Sequence, residues 1–255
     1  MTNCHRCSFK KYILSNPLRR AKDGRRIYVC GRCGEDAPED RPFERGKPRN
    51  LYIDIETGYG RVYTFDLRIK GEYISHQNID KEPYIVCWSA GWVGENKIHS
   101  ACVDHRAALK YQDAKILKPL RELIEQADII SGQNVEWFDL RMINARMAIN
   151  GIRPSEGYKI QDTLKMLRKK YKFMSNRLDY IAPLFGFRPK EAMSNRDWLA
   201  IADHGDEKTL AKMLKYNRAD VRNGKGVLEA LLGLSDYPIE KYMHTLPSEP
   251  KDKRE

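Results

Sequence analysis

Leu51-Tyr52-Ile53-Asp54-Ile55-Glu56-Thr57 (LYIDIET) places two carboxylates two residues apart inside an otherwise apolar run. Successive side chains of a β-strand point to opposite faces. As a strand, the run turns Leu51, Ile53 and Ile55 one way and Asp54 and Glu56 the other. Two arrangements account for a paired-acid face. One is an edge strand with a solvated polar side. The other is a divalent cation, because hard cations such as Mg²⁺ take carboxylate oxygens. The second requires further oxygen ligands from elsewhere in the chain.

Outward from this strand, the pattern is that of an α/β domain. YIVCWSAGWV (84–93) and KIHSACV (97–103) read as a second and third strand, joined by a turn through Gly94, Glu95 and Asn96. Residues 105–126 read as helical, with Pro119 expected to kink or break the helix. ADIISGQN (127–134) reads as a short strand running into a loop, and residues 135–151 as a helix closed by Asn150 and Gly151. GYKIQDTL (157–164) is a fifth strand. A basic helical region continues to about Leu184, and a last long helix runs from about Glu207 to Leu232. Three strands without helices, followed by strands alternating with helices, predict a mixed sheet with helices packed on it.

Three further residues bear on that requirement. Asp139 lies early in the helix after SGQN. Tyr216 and Asp220, in YNRAD, are four apart and therefore share a face of the last long helix. They flank the apolar stripe Leu210, Met213, Leu214 and Val221, on which Gly224 permits close packing against the sheet. Taken singly, each has an ordinary explanation. Asp139 suits the positive end of its helix, Tyr216 suits a rim aromatic, and Asp220 suits a solvated acid.

In order, the set is more specific. Asp-x-Glu on a first strand, Asp139 in NVEWFD, and Tyr-x-x-x-Asp on a late helix resemble the DEDD superfamily of 3′–5′ exonucleases. The tyrosine of the last motif is similar to the DEDDy branch, which includes polymerase proofreading domains and RNase D-like enzymes. QDTL and NRLDYIAPLFG also resemble stretches of family B-like proofreading exonucleases and their stand-alone relatives, many of them phage-encoded. The resemblance covers about residues 50–232. It implies an RNase H-like fold, with a five-stranded mixed sheet, flanking helices and the site at the sheet's open end. It further implies two Mg²⁺ or Mn²⁺ ions about 3.5–4 Å apart, clamping the attacking and leaving oxygens of an in-line displacement. By resemblance, Asp54 bridges both ions, Glu56 and Asp220 complete the first site, Asp139 serves the second, and Tyr216 orients the attacking water. Asn134 is a candidate nucleic-acid contact, with local hydrogen bonding in its loop as the alternative.

The N-terminus departs from that family. Cys4 and Cys7, then Cys30 and Cys33, form two C-x₂-C pairs separated by 22 residues. Four thiolates in a tetrahedron suit one structural Zn²⁺, and a module this small draws much of its folding energy from the metal. The expected organisation is a zinc ribbon over 1–34, a Pro/Gly-rich charged linker over 35–50, the nuclease domain over 51–235 and a C-terminal tail over 236–255, whose end SEPKDKRE is expected to be disordered. Cys87 and Cys102 lie in apolar strands and read as core.

Across 255 residues, 46 lysines and arginines face 35 acids, a net charge of +11 that points to a polyanionic partner. Residues 1–50 hold thirteen basic and six acidic side chains, so most of the excess lies there. Arg19, Arg20, Arg25 and Arg26 cluster between the two cysteine pairs, and Arg168, Lys169 and Lys170 form a second basic run beside Tyr171 and Phe173. Both runs are candidate phosphate contacts, with an ordinary solvated helix face as the alternative for the second. No apolar run is long enough to span a membrane, and the N-terminus lacks the apolar stretch of a signal peptide, so an intracellular protein is expected. The expected activity is metal-dependent 3′–5′ hydrolysis of single-stranded or frayed DNA, alone or beside a DNA polymerase or other replication protein. The alternatives are 3′ trimming of RNA, and a nucleic-acid-binding adaptor on a degenerate nuclease fold. Degenerate members generally lose acids, and all four are present here.

Overall fold

A short antiparallel pair, β1 (Tyr12–Leu14) and β2 (Tyr28–Cys30), is set with Tyr12 opposite Cys30. It belongs to the first of two compact units, Met1–Lys47 and Pro48–Glu255. The structure is a computed structural model. It describes the backbone of those two strands and residues 48–64, 74–188 and 192–233. Cys4, Cys7, Cys33, Arg19, Arg20, Arg25, Arg26 and the C-terminal tail lie outside the described residues, as does the side chain of Cys30.

The second unit begins with β3 (Asn50–Thr57). A two-stranded ribbon follows, β4 (Arg61–Val62) with β5 (Ile79–Lys81). Then come β6 (Ile85–Trp92), β7 (Ile98–Cys102), α1 (His105–Leu109) and α2 (Ala114–Glu125). The remainder alternates: β8 (Ile129–Gly132), α3 (Asp139–Ile149), β9 (Lys159–Asp162), α4 (Thr163–Lys170), α5 (Leu178–Leu184), α6 (Asn195–His204) and α7 (Glu207–Gly233). The main sheet has five strands in the order β7-β6-β3-β8-β9. β3 is antiparallel to β6 and parallel to β8, so the sheet is mixed.

β3 is therefore the central strand, which removes the edge-strand explanation for its acids. Its two faces pack differently. Ile55 is opposite Trp88, whose indole N–H donates to the Ile116 carbonyl of α2 at 2.7 Å, and Leu51 and Ile53 join the same core. The other face meets α7. Tyr52, fully buried, packs with Val221 and Leu228. A Cβ on Gly224 would come within 2.1 Å of the Tyr52 hydroxyl, so the bare backbone there sets the spacing of helix and sheet. Cys87 is buried and Cys102 half-buried, opposite one another across β6 and β7.

The helix expected over 105–126 is instead two helices, and the break is not at Pro119. The chain turns at Tyr111, where φ is +57°, before α2 begins. Asp113 supplies the reason. Its carboxylate, fully buried, accepts from the Ile85 backbone at 3.0 Å, from Arg146 Nε at 2.7 Å and from Asn150 Nδ2 at 2.8 Å. Pro119 stays within α2 because it and Lys115, whose carbonyl loses its donor, both lie on the helix's exposed side. α6 had no counterpart in the expected elements. It is closed by a capping box between Ser194 and Asp197 and ended by Gly205 at φ +56°.

Candidate active site

Asp54 and Glu56 face α7 near the end of β3, both half-buried, and Asp220 reaches them from α7 as a buried side chain. One carboxylate oxygen from each lies within 4.8 Å of the others. Like charges this close are stable together only when a cation or a proton offsets them. Three hard oxygen donors from two rigid elements fit Mg²⁺ or Mn²⁺. The register of β3 against β6 shifts between Glu56 and Thr57, a bulge of the kind that re-aims side chains beside functional sites.

Asp139 comes to the same strand by another route. β8 pairs with β3 only as far as Tyr52. Beyond that point the Asp139 carboxylate, at the start of α3, accepts the Ile55 backbone N–H at 3.0 Å, between the two strand acids. It does not join the three-acid group. The Tyr52 phenol registers the common neighbourhood: burial raises it well above its usual range, and Asp54, Asp139 and Asp220 push in the same direction.

Burial raises the Asp139 carboxyl to about 7, opposed by its hydrogen bond from Ile55 and reinforced by Asp162. A carboxyl raised in the folded state holds its proton while the unfolded chain has released it. The contribution of Asp139 to metal-free stability therefore falls as pH rises from about 4 through 7, where its unfolded form binds fewer protons. Asp139→Asn keeps an acceptor for Ile55 and removes that titration. Thermal melts in EDTA should show the Asp139→Asn variant gaining on the wild type between pH 4 and pH 7. A constant difference across that range would rule out the raised carboxyl.

Tyr216 stands half-buried one turn before Asp220. Beside the two, a pocket of about 280 Å³ is walled in part by Arg177, Arg188 and Asn223. Asn134 adopts φ +63°, a left-handed conformation asparagine tolerates, and its backbone N–H donates to Asp162 at 3.1 Å. Asp162 caps α4 through Leu164 and Lys165 and also holds Glu136, so it fixes the loop that delivers Asp139. Trp137 and Phe138 in this loop are exposed, and the Arg141 guanidinium lies 3.9 Å from the Trp137 ring centroid. Arg168, Lys169 and Lys170 are exposed on the last turn of α4.

Asn217 has no counterpart among the residues the sequence points to. It is fully buried and donates from Nδ2 to Asp54 Oδ2 at 2.7 Å. An amide inside the apolar stripe of a long helix was its available signal.

A mixed five-stranded sheet carries carboxylates on its central strand, and the long helix across it adds a third, a group that could hold a divalent metal. Residues 74–232 match the family model described as the RNase_H superfamily, and the chain belongs to that superfamily. The match begins after Asp54 and Glu56 and includes Asp139, Tyr216 and Asp220. Among solved structures, the fold is similar to a family B DNA polymerase from the hyperthermophilic archaeon Pyrobaculum calidifontis. The TM-score is 0.55 and the identity 17%, over 87% of this chain and 29% of the polymerase. The chain thus spans under a third of that polymerase's length. No curated protein matches the sequence. Among the described residues no helix is long and apolar enough to cross a membrane.

Proposed function

We propose that the protein is a divalent-metal-dependent 3′–5′ exonuclease acting on single-stranded or frayed DNA. The observation that carries this reading is the convergence of Asp54, Glu56 and Asp220 to within 4.8 Å on the central strand and long helix of an RNase_H-superfamily domain. The ordered DEDDy-like set supports the 3′–5′ direction, and the likeness of the fold to a DNA polymerase supports DNA as the substrate.

Asp54, Glu56 and Asp220 would hold the first of two Mg²⁺ or Mn²⁺ ions, with Asp54 and Asp139 serving the second. Such ions would supply Lewis-acid chemistry at the phosphoryl oxygens. The chain's own groups do the rest. The Tyr216 hydroxyl orients the attacking water. Arg168, Lys169 and Lys170, all exposed, would contact backbone phosphates, and the exposed rings of Trp137 and Phe138 would stack bases. In the first unit, Cys4, Cys7, Cys30 and Cys33 would hold a structural Zn²⁺, and Arg19, Arg20, Arg25 and Arg26 would add non-specific affinity for the strand. A DNA polymerase or other replication protein as partner belongs to the same reading.

The roles of the two α7 residues can be separated. Tyr216→Phe should slow cleavage roughly 10²-fold, the cost of a misplaced reactant, and leave Mn²⁺ affinity intact. Asp220→Ala should lose both. Calorimetric Mn²⁺ titration with single-turnover rates checks this. An equal loss of Mn²⁺ affinity in the two variants would show that the phenol is itself a ligand.

A further inference from the structure

We infer that Asn217 is a positioning residue that holds the Asp54 carboxylate in its metal-binding orientation, and that it does so at a cost to the stability of the metal-free fold. The inference rests on the metal-site reading above and concerns a residue that reading does not use.

Asn217 belongs to the face of α7 that packs on the sheet, with Met213, Val221 and Gly224, all buried. The three are apolar. Asparagine is a poor residue for this position, because its amide competes with the helix backbone and carries donors and an acceptor into the core. Its exposure is 0%, so no part of it reaches solvent. Nδ2 donates to Asp54 Oδ2 at 2.7 Å, a short bond to a charged acceptor. Oδ1 finds no partner among the described residues.

A second atom nearby shares that condition. Ser89 is opposite Asp54 in the register of β6 against β3, so the two side chains emerge on one face. Ser89 is also 0% exposed, and its hydroxyl makes no hydrogen bond among the described residues. Asp54 is therefore flanked by two buried polar side chains with unmet hydrogen-bonding capacity, one from the neighbouring strand and one from the helix above. Unmet polar atoms in a core destabilise the fold, and apolar residues of similar size would not. A packing role does not account for the amide. Orientation of a ligand does: groups that hydrogen-bond a ligating carboxylate fix its rotamer before the metal arrives.

The test is Asn217→Leu, which keeps asparagine's heavy-atom branching and cannot donate. Three quantities are measured: Mn²⁺ affinity by calorimetry, the melting temperature of the metal-free protein in EDTA, and the dependence of cleavage on Mn²⁺ concentration. Wild type and Asp54→Ala are run alongside. The expected result is a 10–100-fold loss of Mn²⁺ affinity, with a metal-free melting temperature equal to or above that of wild type. Cleavage at saturating Mn²⁺ should recover to within a few-fold of wild type. Wild-type Mn²⁺ affinity in a folded Asn217→Leu protein would overturn the inference. So would a joint fall of affinity and metal-free melting temperature, which is the mark of a packing role. Should Asn217→Leu not fold, Asn217→Ala takes its place, and failure of both to fold also decides for packing. If wild type binds no Mn²⁺, or Asp54→Ala binds it as wild type does, the metal-site reading itself fails and this inference with it.

Discussion

Asp54→Ala folds and does not cleave: this is the largest effect expected on activity. Asp54 links the strand to the helix within the site. It lies in the three-acid group, it accepts from Asn217, and in the proposed arrangement it serves both ions. Its removal leaves Glu56 and Asp220 without the strand partner that completes the set. The charge stabilisation contributed by bound metal is several kcal/mol, and each 1.36 kcal/mol is tenfold in rate, so the loss should be at least about 10³-fold. The fold should persist, because Asp54 is only half-buried and its loss relieves repulsion among the acids in metal-free protein. Circular dichroism and single-turnover cleavage with Mg²⁺ check both halves. A folded variant that cleaves at near wild-type rate would remove Asp54 from the mechanism.

The largest effect expected on stability lies away from the acids, at Asp113. Its carboxylate neutralises Arg146, which is itself buried, and accepts the backbone N–H that starts β6. Asp113→Ala leaves a buried guanidinium unpaired, a change that costs about 3–5 kcal/mol. It also frees the Ile85 N–H and removes one of the two acceptors of the Asn150 amide. Urea denaturation should show the midpoint falling sharply. Arg146→Leu, which removes the charge rather than stranding it, should cost less. Equal losses in the two would mean that the pair contributes through packing alone.

Much of this molecule could be read from its sequence, and the parts that could not have identifiable causes. The alternation in LYIDIET separated a core face from an acid face, and both faces of β3 pack as that alternation requires. The stripe on α7 was visible at helical spacing, and Gly224 lies against Tyr52 where a side chain would collide. What local pattern could not supply was Asp113. Its partners are 28 to 37 residues away, and only the folded sheet brings them together. Without it, Pro119 looked like the place for the helix to end. α6 was legible in principle. Ser194 with Asp197 three residues on, and Gly205 after the last turn, are start and stop signals that the run between two stronger helices concealed. In the candidate site, the Asp-x-Glu pair and the Tyr216-x-x-x-Asp220 spacing stood out in the sequence because both members of each pair lie on one element. Asn217 was not, because its meaning depends on Asp54, 163 positions earlier.

The central claim is that these carboxylates run a metal-dependent 3′–5′ exonuclease on DNA. The most direct measurement uses a 5′-labelled single-stranded DNA oligonucleotide and its RNA counterpart, each incubated with the protein in Mg²⁺, in Mn²⁺ or in EDTA, with products resolved at single-nucleotide steps. The account predicts a ladder of labelled DNA shortening one nucleotide at a time from the 3′ end. That ladder should appear with either metal, vanish in EDTA and be weaker on RNA. Cleavage that persists in EDTA, a labelled mononucleotide as the first product, or intact DNA in both metals would contradict it.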